Sequence, residues 1–90
     1  MVHTRAHIQL NNQSDAMNLV QILCRYEDSF SIENFDGSRR VNAKSILGVM
    51  YAAIDFNNAM YLVNDVGGVI PGAIDDFRVL LPDKRRDGLV

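Results

Sequence analysis

The side chains best suited to chemistry in this 90-residue chain are two histidines, one cysteine and a serine that follows a lysine. His3 and His7 are four residues apart, so a strand would place both on one face, where they could bind a metal ion. Two ligands without nearby carboxylates make a poor site, because protein-bound zinc usually has three or four protein ligands. We therefore expect no metal and no other cofactor.

The single cysteine, Cys24, excludes both an intramolecular disulfide and a cysteine-based zinc site. It follows Leu23 in a helical pattern, which predicts a buried and unreactive thiol. Asp75 and Asp76 open a short helical pattern, where acidic residues complement the helix dipole, so we assign them no catalytic role. These residues predict a protein that is not an enzyme.

A basic cluster formed by Arg39, Arg40 and Lys44 directly precedes Ser45. Ser45 itself precedes an apolar helical pattern, a position where serine is a typical N-cap residue. Basic clusters are usually solvated surface, but beside Ser45 this one could bind a phosphate or an acidic partner. The second basic run, at residues 84–86, is typical of a solvated tail rather than of an arm that binds nucleic acid.

The sequence predicts strands in four places, and the first of them alternates cleanly between apolar and polar residues. They are residues 5–10, 29–35, 38–41 and 59–63. Asp36 and Gly37 form a strong hairpin signal between the second and third, because glycine tolerates positive φ. The last of these strands is apolar on both faces, so we expect it to be well covered.

Helical spacing of apolar residues predicts three helices. They cover residues 15–26 with Ser14 as N-cap, a second segment that begins at Asn42 or Ser45, and a shorter segment from Pro71 to Leu81. Pro82 should end the third helix and leave residues 82–90 as a frayed tail. The order β-α-β-β-α-β-α predicts an α+β fold, with one antiparallel sheet, three helices on one face and the first strand at the centre.

The composition is that of one globular domain over residues 1–90, with 48% hydrophobic and 22% charged residues. A net charge of −2 argues against a dedicated nucleic-acid binder, which needs clustered basic residues. No apolar run reaches the roughly 18 residues of a membrane span, and the first residues lack the pattern of a signal peptide. We expect a cytoplasmic protein.

The run Val-Asn-Ala-Lys-Ser-Ile-Leu-Gly-Val-Met at residues 41–50 resembles the regulatory region of the HPr phosphocarrier family of the bacterial phosphotransferase system. The hairpin at Phe35-Asp36-Gly37 lies where that family has its own, and the element order agrees over about residues 4–81. The resemblance implies the HPr open-faced sandwich and makes Ser45 the regulatory phosphorylation site. It also implies a partner-binding surface, which consists of Arg39, Arg40, Lys44, Ile46, Leu47 and Met50.

We expect Leu47 and Met50 to be the more exposed apolar residues of that surface, because one helix cannot bury all its apolar residues equally. The chain departs from the family at its phosphoryl-accepting histidine, which stands in a His-x-Arg-Pro motif at the start of the first helix. That position falls near Asp15 or Ala16, and residues 12–18 contain no His, Arg or Pro. An aspartate there would repel an incoming phosphate. The sequence His3-Thr4-Arg5-Ala6 is not the motif, because a strand pattern follows it.

The resemblance therefore favours a regulatory HPr-like protein, similar to the catabolite-repression HPr-like protein, that is controlled by phosphorylation of Ser45. Its implied partners are an HPr kinase/phosphorylase and a LacI-type catabolite control regulator, with no direct contact to nucleic acid or membrane. Two alternatives stay open. One is a phosphocarrier that uses another residue, such as His7; the other is an interaction module with neither phosphorylation, which could be a homodimer.

Overall fold

The computed structural model describes residues 5–56 and 59–79, and these form a four-stranded antiparallel sheet with three helices. The strands are Arg5–Ile8 (β1), Phe30–Glu33 (β2), Arg40–Asn42 (β3) and Met60–Asn64 (β4). The helices are Gln13–Leu23 (α1), Ile46–Asp55 (α2) and a short 3-10 helix, Gly72–Phe77. The predicted α+β order is confirmed. His3, Leu81, Pro82, the basic run at 84–86 and the predicted frayed tail lie outside the described residues.

The strand order in the sheet is β1-β4-β2-β3. The expectation that the first strand is central is therefore wrong, because β4 inserts between β1 and β2. The crossover through α1 leaves room beside β2, and the more apolar β4 fills it. The outer side of β1 is bonded to the segment after the 3-10 helix, since the Gln9 N–H donates to the Phe77 carbonyl (2.8 Å) and the Val79 N–H to the His7 carbonyl (2.9 Å). This contact covers an edge that would otherwise be open to pairing with another chain.

One face of the sheet carries the core, as the alternating patterns predict. The inward apolar residues of β1, β2 and β4 are buried, and Val41 of β3 is partly buried; the buried residues are Ala6, Ile8, Phe30, Ile32, Met60 and Leu62. The helices cover this face with Ala16, Leu19, Val20 and Leu23 of α1, Val49 and Ala52 of α2, and Ile74 of the 3-10 helix. Side chains in the alternate positions of each strand point to the opposite, open face.

The ends of α1 differ from the prediction. The helix begins at Gln13, and Asn12 rather than Ser14 is its N-cap residue. It ends at Leu23, where the backbone N–H groups of Arg25 and Tyr26 donate to carbonyls three residues earlier and tighten the last turn. Cys24 is exposed, so the predicted buried thiol is wrong. Successive helical residues are 100° apart, so Cys24 lies about a quarter turn around the axis from the centre of the buried face of α1.

The hairpin between β2 and β3 forms at the predicted turn. Gly37 has φ of 75°, a conformation that favours glycine. Two hydrogen bonds from Ser38 hold the pKa of Asp36 below its usual value. The bond from the Ser38 side chain has the larger effect, and the bond from its backbone N–H adds to it. The paired strands are shorter than predicted, because only Phe30–Glu33 and Arg40–Asn42 form the ladder. The last strand is also shifted by one residue, to Met60–Asn64.

Candidate functional site

The N-terminus of α1 is closed by two of its own side chains. The Asn12 side-chain oxygen accepts the backbone N–H of Asp15 (2.8 Å), and the Asp15 carboxylate accepts the backbone N–H of Asn11 (2.9 Å). The first turn of a helix has free N–H groups and a positive dipole end, which together attract anions. In this chain the first turn carries the Asp15 carboxylate, whose donor Asn11 lies just before the cap, so a phosphate approaching the helix start would meet a negative charge.

The start of α1 also bears on the position expected for the family histidine. The sequence places the position of the family histidine near Asp15 or Ala16. Ala16 is 1% exposed and packs in the core, so a side chain there could not receive a phosphoryl group. The first helical residue is Gln13, which is exposed. The helix thus begins two residues earlier than predicted, and the placement of the family position near Asp15 or Ala16 stays a prediction.

A cleft of about 300 Å³ separates the beginning of α1 from α2. Its lining residues are uncharged: Leu10, Asn11, Asn12, Gln13, Ala16, Met50, Ala53 and Ile54. Five of these residues are apolar, and the other three are the amides at and just before the start of α1. The cleft next to the start of α1 is thus uncharged and mostly apolar, so it would stabilise a transferred phosphoryl group poorly.

Ser45 is the N-cap residue of α2, one of the two positions that the sequence proposed for this cap. Its backbone is extended, and its Oγ accepts the backbone N–H of Gly48 (3.2 Å). A Cβ added at Gly48 would lie 3.1 Å from the Asn42 carbonyl oxygen, so glycine allows the helix start to approach β3. Ser45 is half-buried.

Removal of the Ser45 hydroxyl should destabilise the fold measurably. We expect Ser45→Ala to lower the free energy of unfolding by about 1 kcal/mol, while Ser45→Asp retains the cap and most of the stability. Ser14→Ala is the matched control, because Ser14 lies in the first turn of α1 but Asn12 is the capping residue there. The control should change stability by less than about 0.5 kcal/mol in urea denaturation. Equal losses in the two alanine variants would contradict a capping role for Ser45.

Arg39 does not lie beside Ser45. It forms an ion pair with Asp55, and its guanidinium lies 5.3 Å from the ring centre of Tyr51 and 5.4 Å from that of Phe56. Asp55 follows Ser45 by ten residues, which corresponds to about 15 Å along the helix axis. The expectation of one basic cluster next to Ser45 is therefore wrong for Arg39.

The other two basic residues also have partners elsewhere. Arg40 forms an ion pair with Glu33 on the neighbouring strand, and this hydrogen bond raises the pKa of the Arg40 guanidinium. The Lys44 ammonium donates to the Tyr26 carbonyl (2.5 Å) after the end of α1, where a cation complements the helix dipole. The three cations thus stabilise three different junctions of the fold.

The apolar residues of α2 divide into a buried face and an exposed face. Leu47 is 80% exposed, as predicted, but Met50 is half-buried and packs against the core beside α1, so the prediction for Met50 is wrong. Ile46 is exposed to 41%. Two further residues were missed: Tyr51 is exposed and Ile54 is 83% exposed. They lie four and seven residues after Leu47, a helical spacing that could have identified them.

His7 lies on the open face of the sheet, where its ring stacks on Tyr61 with 4.7 Å between ring centres. Arg5 lies over the same tyrosine, at 4.1 Å from the ring centre. Within residues 5–56 and 59–79, no group of three or more potential metal ligands comes together. None of the helices in the described part of the chain has the length and apolar character needed to span a membrane.

Comparison with known proteins gives one match. A family model described as the PTS HPr component phosphorylation site matches residues 12–64, which is more than half of the chain. The matched segment runs from the N-cap of α1 to the last residue of β4 and includes the N-terminus of α2. No curated protein and no solved structure matches the sequence.

Proposed function

The chain belongs to the HPr family of the phosphotransferase system, whose members are phosphocarriers that interact with other proteins of that system, and we propose that it is a regulatory member. In this proposal, phosphorylation of Ser45 and docking of partners on α2 replace phosphoryl transfer through a histidine. The observation that carries it is the contrast between the two helix N-termini. Asp15 places a carboxylate at the first, whereas Ser45 presents a hydroxyl at the second, beside exposed apolar residues.

The cap position of Ser45 supports a phosphate chemically. Phosphoryl transfer from ATP would form the Oγ–P bond, release ADP and remove the hydroxyl proton. The product carries a charge of about −1.5 to −2 at the positive end of the α2 dipole. Its oxygens could accept the Gly48 N–H that now binds Oγ, so the modification should not unfold the helix.

The neighbouring contacts indicate what a partner would have to supply. Arg39, Arg40 and Lys44 are bonded to other groups, so they would neutralise little of the phosphate charge without giving up those contacts. A partner would therefore need its own cations next to an apolar pocket for Ile46 and Leu47, both of which are exposed. An HPr kinase/phosphorylase and a LacI-type catabolite control regulator are the partners that family membership suggests.

Incubation with an HPr kinase and ATP, followed by mass spectrometry, tests the proposal. We expect one phosphate on the wild-type chain and none on Ser45→Ala, because Ser45 is the only site proposed. The matched control Ser14→Ala should be phosphorylated like the wild type, since it removes another serine at the start of a helix. Phosphate that persists in Ser45→Ala would contradict the proposal. Absence of phosphate from the wild type would favour the interaction module without phosphorylation.

A further inference from the structure

The turn that joins β3 to α2 is held by Asn42, the last residue of β3. The Asn42 side-chain oxygen accepts the backbone N–H of Lys44 (2.8 Å), and its backbone carbonyl accepts the N–H of Ser45 (3.2 Å). Asparagine favours such turns, because its side chain can accept from the backbone two residues later. One residue thus binds both of the N–H groups that lead into the cap of α2.

Two further contacts restrict this turn. Ala43 is completely buried, and its N–H donates to the Phe30 carbonyl of β2 (3.0 Å). The Asn42 carbonyl oxygen also lies so near α2 that a Cβ added at Gly48 would be 3.1 Å from it. Since the Gly48 N–H donates to Ser45 Oγ, the Asn42 carbonyl packs against the residue that orients the hydroxyl.

We propose that Asn42 is a positioning residue for the phosphorylation of Ser45, which rests on the proposed function of Ser45 as the regulatory site. Asn42 holds Ser45 in the extended backbone conformation that places Oγ at the cap. The Gly48 N–H then uses one lone pair of Oγ, which leaves the proton and the second lone pair for the kinase and ATP. A hydroxyl held in one orientation reacts faster, because less freedom is lost in reaching the transition state.

The positioning contact is made by the side-chain oxygen of Asn42. Asn42→Asp keeps an oxygen at that place but removes the NH2 donors, whereas Asn42→Ala removes both. Asparagine and aspartate form the same kind of turn, so the aspartate variant should retain the bond to the Lys44 N–H. A kinase that instead contacted the NH2 group directly would be affected equally by the two variants.

Kinetics with an HPr kinase and ATP test the role in phosphorylation. We expect Asn42→Ala to lower kcat about threefold to tenfold, the range that one such hydrogen bond supplies, with KM little changed because Asn42 orients the hydroxyl. Asn42→Asp should recover most of the wild-type kcat when both are measured at about 0.5 M salt, which screens the added charge. Asp36→Ala is the matched control, since it removes the same kind of bond, from the Ser38 N–H (3.0 Å), in the hairpin. It should be phosphorylated like the wild type.

Amide hydrogen exchange tests the positioning without a kinase. In Asn42→Ala, the N–H groups of Lys44 and Gly48 should exchange several-fold faster than in the wild type, because both lose their fixed acceptors. Asn42→Asp should restore both exchange rates. Asp36→Ala should accelerate the Ser38 N–H and leave those of Lys44 and Gly48 unchanged.

The two measurements separate this inference from the proposed function. A wild type that no HPr kinase phosphorylates would contradict the proposed function, and the exchange rates would then decide whether Asn42 positions Ser45. Unchanged exchange of the Gly48 N–H in Asn42→Ala would overturn the inference. So would an Asn42→Asp variant as slow as Asn42→Ala, which would indicate direct contact with the kinase, or an equal loss of kcat in Asp36→Ala, which would indicate an effect of stability alone.

Discussion

Phosphoenolpyruvate and the first enzyme of the phosphotransferase system are expected to leave this chain unphosphorylated. Residues 12–18 contain no His, Arg or Pro, and the Asp15 carboxylate places a negative charge in the first turn of the helix, where it accepts the Asn11 N–H. The adjoining cleft is neutral and mostly apolar. Incubation with radiolabelled phosphoenolpyruvate should therefore give no labelled chain under conditions that fully label a histidine-bearing HPr protein.

Two variants separate the missing histidine from the blocking carboxylate. Gln13→His provides a phosphoryl acceptor at the first helical residue but leaves the Asp15 charge in place. Gln13→His combined with Asp15→Arg also replaces that charge with a cation. We expect the double variant to be labelled more than the single variant, because the anion then meets free N–H groups and a positive side chain. Acid-labile label on the wild type, at His3 or His7, would contradict the expectation and support a carrier with a non-standard residue.

Replacement of Leu19 by alanine should cause a large loss of stability. Leu19 is completely buried in α1 and belongs to the core. A Leu→Ala change at such a site costs about 2–5 kcal/mol, through lost apolar burial and the cavity that remains. Since the whole free energy of unfolding of a small domain is about 5–15 kcal/mol, this variant should be close to unfolding.

The same substitution at Leu47 is the control for Leu19→Ala. Leu47 is also helical but 80% exposed, so its truncation should change stability by less than about 0.5 kcal/mol. Urea denaturation followed by circular dichroism measures both values. Similar losses at the two positions would mean that Leu47 is packed, and would count against the docking surface on α2.

The sequence predicted the local features of the fold because they depend on neighbouring residues. Alternation of apolar residues identified the strands, the Asp36-Gly37 pair identified the hairpin, and a serine before an apolar stripe identified the cap of α2. Loss of the His-x-Arg-Pro motif was likewise visible in the residues alone. Element ends were less accurate, since a helix can begin at any of several polar residues, and here Asn12 had the geometry to cap α1.

Tertiary structure decided which residues come together. The neighbouring basic residues Arg39, Arg40 and Lys44 bind partners in three different parts of the chain, because long side chains reach far from their backbone positions. Periodicity also could not reveal that β4 displaces β1 from the centre of the sheet, since strand order depends on chain crossovers. The residues thus determined a family, its secondary structure and a missing histidine. Packing determined which apolar residues of α2 are buried and which are exposed, because burial depends on contacts between parts of the chain that are remote in sequence.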